Sequence, residues 1–359
     1  LKKTAFNNIH KTLGAKLTEF AGYEMPIQYE GIIAEHKAVR ESVGVFDVSH
    51  MGEVEVRGKD AFAFVQRITT NDVSKLEKGD VQYSAMCYKD GGIVDDLLVY
   101  NCGDYYMLVI NASNIDKDIK WMEENLSGDV TLKNISDETS LLAVQGKNSL
   151  PALQKLTDID LSDLAYYKFA KGKVAGQDVI ISHTGYTGEK ICFEIYSSSD
   201  VRLSEDLWNA IFEAGKEYNI KPVGLGARDT LRLEYAFRLY GNDMDENSNT
   251  IEAGLGWITK PDKGDFNGKE VILKAKENST RKLVGFIVDD RMVARHGQEV
   301  FSGDKKIGFV TSGSMSPMLN KNIGLAYIDN GFNKTGLPIE IAIRDKRIKA
   351  TITKTPFLS

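Results

Sequence analysis

Two adjacent acids, Asp95 and Asp96, interrupt an apolar run over residues 93–100 that follows the turn signal Lys89-Asp90-Gly91-Gly92. The run reads as a β-strand, and residues 81–88 read as its hairpin partner. Successive strand side chains point to opposite faces, so the two acids cannot both enter one pocket. A two-residue turn, either Asp90-Gly91 or Gly91-Gly92, puts Tyr83, Ala85 and Cys87 on one face with Asp96, Leu98 and Tyr100. A one- or three-residue turn reverses that grouping. A carboxylate between two tyrosines suits a flat, polar-edged ring: the tyrosines stack on it and the acid bonds its nitrogens. Two solvent-facing acids on an edge strand fit the same pattern equally well.

Glu194 poses a similar question. It alternates with Cys192 and Tyr196 on one face of a strand whose other face is Ile191, Phe193 and Ile195. A carboxylate so placed suits a two-pronged contact with an N–H/NH2 pair of a heterocycle, and a solvated strand face is the competing reading. Gly224-Leu225-Gly226-Ala227-Arg228-Asp229 lacks the third glycine of a dinucleotide loop and the Gly-Lys-Ser/Thr of a P-loop. It reads instead as a tight entry to a helix whose first amides, with Arg228, can hold an anion or carbonyl. Pairing of Arg228 with Asp229 or Glu234 is the alternative. Tyr166, Tyr167 and Tyr186 read as packing residues when taken alone. Asp47 and His50 suggest a metal or base pair by spacing, but a polar turn is the simpler account. The run Thr311-Ser312-Gly313-Ser314-Met315-Ser316-Pro317 reads as a turn or loop without chemistry.

The elements that position these residues alternate in type. At 359 residues the chain exceeds one ordinary core. The pattern predicts a helix over 6–13, a second over 31–43, then short strands over 44–51 and 51–56 and a helix over 61–68. After the acidic hairpin come a strand over 105–111 and a helix ending near Leu126. That block predicts an antiparallel α+β domain of ferredoxin-like order. A second round follows, with strands near 140–146, 179–183 and 191–196 and helices over 148–156, 204–218 and 227–239. From Arg281 short strands recur at close intervals, the signature of a small all-β barrel. The expected division is 1–50, 51–137 (ferredoxin-like), 138–275 and 281–359 (barrel).

Composition narrows the function classes. A net charge of −6 without a strongly basic stretch argues against nucleic acid as partner. Three cysteines without Cys-x-x-Cys spacing describe neither a disulfide framework nor a zinc site, which fits a reducing, cytoplasmic setting. Five scattered histidines form no paired ligand motif, so no metal is expected. No run approaches the ~20 apolar residues of a membrane span.

Six segments together resemble the T-proteins of the glycine cleavage system over essentially the whole chain. They are Gly22-Tyr23-Glu24-Met25-Pro26, Phe46-Asp47-Val48-Ser49-His50-Met51-Gly52, Gly91-Gly92-Ile93-Val94-Asp95-Asp96-Leu97, Thr184-Gly185-Tyr186-Thr187-Gly188-Glu189, Gly224-Leu225-Gly226-Ala227-Arg228-Asp229 and Leu239-Tyr240-Gly241-Asn242-Asp243-Met244-Asp245. Each is weak alone; in this order and spacing they are specific. The resemblance implies an α+β folate-binding fold of antiparallel sheets and helices with a C-terminal β-barrel. It implies an aminomethyltransferase that takes the carbon of an aminomethyl group on lipoylated H-protein, passes it to tetrahydrofolate as 5,10-methylene-tetrahydrofolate and releases ammonia. It assigns the catalytic acid to Asp96 and folate contacts to Tyr83, Tyr100, Tyr166, Tyr186, Glu194, Arg228, Met51 and Asn111. An extra residue after Gly188 leaves Glu189 as the rival of Glu194, and T-proteins often continue past Phe357-Leu358-Ser359 with further ligand contacts. A tetrahydrofolate-dependent demethylase of a small methylated substrate is the alternative activity. A monomer is expected. Arg291, Arg295, Lys305 and Lys306 are candidates for docking an acidic carrier protein.

Overall fold

The computed structural model describes residues 1–358, and the chain divides into two compact units, neither continuous in sequence. The first comprises Leu1–Val65, Val73–Tyr83 and Leu97–Asp229; the second comprises Gln66–Asp72, Ser84–Asp96 and the chain from Thr230 onward.

The strands are β1 (Lys16–Phe20), β2 (Tyr23–Gln28), β3 (Gly44–Asp47), β4 (Gly52–Arg57), β5 (Val81–Cys87), β6 (Ile93–Asn101), β7 (Tyr106–Ile110), β8 (Thr131–Asn134), β9 (Thr139–Gln145), β10 (Phe169–Val174), β11 (Gln177–Ser182), β12 (Cys192–Ser198) and β13 (Lys221–Pro222). Between them run α1 (Asn7–Thr12), α2 (Ile32–Glu41), α3 (Ala61–Ile68), α4 (Ile115–Glu124), α5 (Ser149–Gln154), α6 (Val201–Ala214) and α7 (Leu225–Glu234). The β1–β2 hairpin occupies the stretch between the helices predicted over 6–13 and 31–43, where no element is predicted. Gly22 makes the turn at φ +82°, and Pro26 lies within β2, which forms a two-stranded sheet with β1.

Two sheets organise the first unit. One has the order β10-β11-β12-β9-β3-β13, the other β5-β6-β7-β4-β8, with β5 and β6 continuing into the second unit. Val45, Leu142, Val144, Ile181, Phe193 and Ile195 form one face of the six-stranded sheet and pack on Ile9 of α1, Leu153 of α5 and Leu207, Trp208 and Ile211 of α6. Each such side chain contributes roughly 1.5–3 kcal/mol by leaving water. Helix α6 starts at Val201, three residues before its predicted start, because Asp200 caps it by accepting from Leu203 N at 3.0 Å. The five-stranded sheet also presents one face to a helix: a Cβ on Gly52 of β4 would lie 2.6 Å from Ile115 of α4.

The opposite faces of these sheets meet across a polar layer. From the five-stranded sheet come Tyr100, Met107 and Glu53, which share a face by register through Tyr100↔Met107, Leu98↔Val109 and Glu53↔Val109. From the six-stranded sheet come Phe169, Ser182, Glu194 and Tyr196, aligned by Phe169↔Ser182, Ser182↔Glu194 and Ile180↔Tyr196. The Tyr100 hydroxyl joins the two, 3.0 Å from Ser182 Oγ and 2.9 Å from the Tyr196 hydroxyl.

In the second unit, α8 (Lys269–Asn278) precedes β14 (Arg281–Val288), β15 (Glu299–Ser302), β16 (Lys305–Ser316), β17 (Lys321–Asp329), β18 (Pro338–Ile343) and β19 (Lys346–Thr353). These six strands close into the expected barrel, in the order β14-β17-β16-β15-β18-β19, around Phe286, Val300, Val310, Ile328, Ile341 and Ile352. Closure leaves no unpaired edge. None of the described helices is long and apolar enough to cross a membrane.

Candidate active site

The acidic hairpin departs from its predicted turn. Gly91 N donates to Tyr88 O at 3.0 Å and Tyr88 N donates to Gly92 O at 2.8 Å, with Gly91 at φ +88°. That is a three-residue loop, Lys89-Asp90-Gly91, ending in a glycine bulge of the G1 type, so Tyr88 lies opposite Gly92. The far end differs. Gly79 N donates to Asn101 O at 2.9 Å and Asn101 N donates to Asp80 O at 3.0 Å, a second such bulge that sets Asp80 opposite Asn101. From Asp80 to Tyr88 the first strand has one residue fewer than the second has from Gly92 to Asn101, so β6 carries one extra residue. The predicted grouping of Asp96 with Tyr83 therefore fails when counted from the turn and returns when counted from the far end. The register of β6 with β7 is unbroken from Leu97 to Asn101, so Leu98 and Tyr100 keep their alternation, and Asp95 is fully buried while Asp96 is partly exposed. The hairpin tip is held by residues of the Leu239–Asp245 motif: Ile93 N donates to Asp245 O at 3.1 Å and Tyr240 donates to Ile93 O at 2.9 Å.

In the first unit, the glycines of Gly224-Leu225-Gly226 serve close packing. A Cβ on Gly224 would sit 2.4 Å from Ile27 O, and one on Gly226 2.6 Å from the Ile32 side chain. Gly224 N donates to Glu35 Oε2 at 2.8 Å, while Glu35 Oε1 accepts from Gly31 N at 3.0 Å, so one carboxylate fixes the starts of both α2 and α7. Arg228 follows in the first turn of α7, its guanidinium 4.5 Å from the centre of the Tyr186 ring. Tyr186 is presented by a clamped loop. Gln145 Oε1 accepts from Thr187 Oγ1 at 2.9 Å, its Nε2 donates to Phe193 O at 3.1 Å, and a Cβ on Gly185 would collide with it. Arg40 completes the clamp, donating to Thr187 O and Glu189 Oε1, each at 2.7 Å.

That pairing separates the two rival glutamates. Glu189 is bound to Arg40, whereas Glu194 faces the polar layer, 8% exposed, and accepts from Thr184 Oγ1. Burial raises the Glu194 carboxyl above the ordinary range, and the Thr184 hydrogen bond and the Arg228 charge work against the rise. Glu53 is pushed well above that range by burial, with the charge of Glu194 adding to it. His50 is held down to about 4 by burial and by Arg228, against the pull of Asp47. It is therefore a neutral imidazole at neutral pH.

Asp47 is paired with His10 rather than His50: its Oδ2 lies 2.8 Å from His10 Nε2, and His10 Nδ1 lies 2.8 Å from the Tyr29 hydroxyl. Burial opposes ionisation of Asp47, but hydrogen bonds and charge from His10, with hydrogen bonds from Thr4 and Ser49, hold its carboxyl below the usual range. This network anchors the turn that leads to Met51.

Of the residues that the resemblance assigned to folate, Tyr100, Glu194, Tyr186 and Arg228 line the layer or its end. Tyr100 is fully buried with its hydroxyl engaged twice, which suits a pillar more than a stacking platform. Tyr166 is 54% exposed and packs edge-on against Tyr167 and His183. Tyr83, Met51 and Asn111 are partly exposed. Sequence reasoning placed Tyr196 on the Glu194 face but missed Glu53, Ser182 and Thr184 as members of the layer. The alternation Glu53-Val54-Glu55-Val56 was the available signal for the first of them.

Residues 6–263 match the model of the GCVT N-terminal domain and residues 281–358 that of the glycine cleavage T-protein C-terminal barrel domain. An aminomethyltransferase of Chloroherpeton thalassium is 50% identical over 362 residues, covering 100% of this chain and 99% of its own. One of Bacteroides fragilis is 51% identical, covering 99% of each. The crystal structure of glycine cleavage system aminomethyltransferase T from Bartonella henselae superposes with a TM-score of 0.92 at 29% identity, over 100% of this chain and 98% of that one.

Proposed function

The chain belongs to the glycine cleavage T-protein family, and on that premise we propose that it binds tetrahydrofolate and loads onto it the carbon of an aminomethyl group carried by a lipoylated H-protein. It is an aminomethyltransferase of the glycine cleavage system. The demethylase alternative is not favoured, since full-length relatives carry the aminomethyltransferase name.

The observation that carries the folate reading is Glu194. It is a buried acceptor in a layer walled by aromatic rings, and it already receives one hydroxyl donor and the field of one guanidinium. A reduced pteridine offers a flat ring with adjacent N–H and NH2 donors, which is what such an acceptor recognises. Tyr186 and Arg228 supply a stacked ring and cation beside it, and Tyr83, Tyr100, Tyr166, Met51 and Asn111 complete the proposed folate set.

Asp96 is the proposed catalytic residue. The folate nitrogen must be a neutral nucleophile when it meets the aminomethyl carbon, and cationic character must be stabilised as ammonia departs. An ionised Asp96 offsets that charge, hydrogen-bonds the folate nitrogens and accepts a proton. The products are 5,10-methylene-tetrahydrofolate, ammonia and the dihydrolipoyl arm. The test mixes the protein with tetrahydrofolate and aminomethylated H-protein and assays both small products. Activity on a methoxy-aromatic compound, with none on H-protein, would overturn this reading.

A further inference from the structure

The backbone of Glu53 is anchored firmly and its side chain is not. Its N–H donates to Ser136 Oγ at 2.9 Å and its carbonyl accepts from Ile135 N at 2.9 Å. The residue is 1% exposed, yet neither carboxyl oxygen has a hydrogen-bond partner among the described residues. A buried carboxyl without a partner is among the costlier arrangements a fold can keep, because the group gives up water and receives nothing in return. Native structures satisfy nearly all such groups, so each exception asks for a reason.

Register says which way this one faces. Glu53 lies opposite Val109, and Val109 opposite Leu98, so Glu53 shares a sheet face with Leu98 and Tyr100. Its neighbours Gly52 and Ile110 take the other face, where Gly52 touches Ile115 of α4. Glu53 therefore looks into the polar layer that holds Glu194 and Tyr196 of β12. We propose that Glu53 is a ligand-binding residue of the folate site, its carboxyl meeting the bound pteridine ring as a hydrogen-bond donor. The inference rests on the folate reading given above.

The chemistry divides the ring between two acids. An ionised carboxylate only accepts, and Glu194 in that form serves the ring's N–H and NH2 donors. The pteridine also carries acceptors, a ring carbonyl and a ring nitrogen, which a second carboxylate would repel. A protonated carboxyl offers one donor beside one acceptor and serves them. The surroundings of Glu53 favour that form: burial disfavours its charge and the Glu194 carboxyl adds to the effect. The other titratable groups that feel it are the hydroxyls of Tyr196 on β12 and Tyr23 on β2, both of which ionise above their usual range, mainly because they are buried. No covalent step is assigned to Glu53.

Two substitutions separate ligand recognition from support of the fold. Glutamine keeps a donor and an acceptor side by side, whereas leucine keeps the volume and removes both. Equilibrium binding of tetrahydrofolate to the full chain is measured by anaerobic calorimetry, with Tm recorded for each protein. Glu53→Gln is expected to bind within about 3-fold of wild type, and Glu53→Leu about 10-fold more weakly or worse, equivalent to one lost hydrogen bond at tenfold per ~1.4 kcal/mol. The Tm of Glu53→Leu is expected to equal or exceed that of wild type, since an unpartnered polar group has been replaced by an apolar one. Unchanged binding by Glu53→Leu overturns the proposal. So does a fall in its Tm that accompanies the loss of binding, which would mark Glu53 as a prop of the sheet. Failure of the wild-type protein to bind tetrahydrofolate is a separate result, and it removes the folate reading together with this inference.

Discussion

Both units bury several acids, and one pair from each, Asp243 with Glu234 and Glu53 with Glu194, is treated in opposite ways. In the second unit Asp243 is saturated: Oδ1 accepts from Thr311 Oγ1 at 2.5 Å and Ser312 Oγ at 2.7 Å, and Oδ2 accepts from Arg232 Nη1 at 2.7 Å and Leu239 N at 3.0 Å. Glu234, the last residue of α7, accepts from Ser316 Oγ at 2.5 Å and Met318 N at 3.2 Å. In the first unit the Glu53 carboxyl has no hydrogen-bond partner among the described residues, and that of Glu194 has Thr184 and the more distant charge of Arg228. Asp243, with both oxygens doubly engaged, ties a barrel strand to α7, whereas the carboxyl of Glu53 is buried with its hydrogen-bonding capacity unused among the described residues. Burial alone does not distinguish the two. Satisfaction does.

The comparison breaks first, if it breaks, at Arg232. Replacing it with methionine leaves Asp243 buried without its cation, and a loss of about 3–5 kcal/mol is expected, read as a large fall in Tm. A Tm within a degree or two of wild type would show that the saturated node is not structural. Asp96→Asn tests the other side: turnover should fall about 10²-fold or more while tetrahydrofolate binding persists. Near-normal turnover would remove its catalytic role. Glu194→Gln, which turns part of an acceptor into a donor, is expected to weaken tetrahydrofolate binding about 10-fold, the low end for a hydrogen bond to a charged group, with little change in Tm. A matched loss of Tm and affinity would move Glu194 into the same class as Asp243.

The smallest effect concerns pH. The folded-state carboxyl of Glu53 titrates above its ordinary value of 4.5, so its contribution to stability is complete below that value and is lost as pH rises through the raised one. Wild type should therefore lose stability relative to Glu53→Gln as pH rises above that ordinary value, at no more than about 1.4 kcal/mol per pH unit. Denaturation curves at about pH 5 and about pH 8 check the sign, and a wild type that gains stability on Glu53→Gln with rising pH contradicts it.

What the sequence made legible follows from which signals are local. The barrel strands announced themselves because closely spaced apolar runs have few other uses, and α6 by its apolar stripe. Glu194 stood out through alternation within one strand. The hairpin's true loop was less accessible, because Asp90-Gly91-Gly92 supports both two- and three-residue turns and only hydrogen bonds decide between them. Glu53 escaped notice because its significance lies in what fails to reach it, and β7 and β12 come from distant parts of the chain. The GxG segment looked like an anion loop, yet its glycines answer to Ile27 and Ile32, neighbours that no spacing rule could supply.

The discontinuity of the two units has a consequence for synthesis. Residues 66–72 and 84–96 belong with the chain from Thr230 onward, so on the ribosome they must wait through the whole of residues 97–229 before their partners exist. During that interval the hairpin tip around Gly91 and Ile93 is an apolar segment without its anchors Tyr240 and Asp245. Late-closing contacts of this kind slow folding and expose strand edges to other nascent chains. Expression yield of this protein should thus depend on chaperone supply more steeply than its barrel, a local and contiguous structure, would suggest.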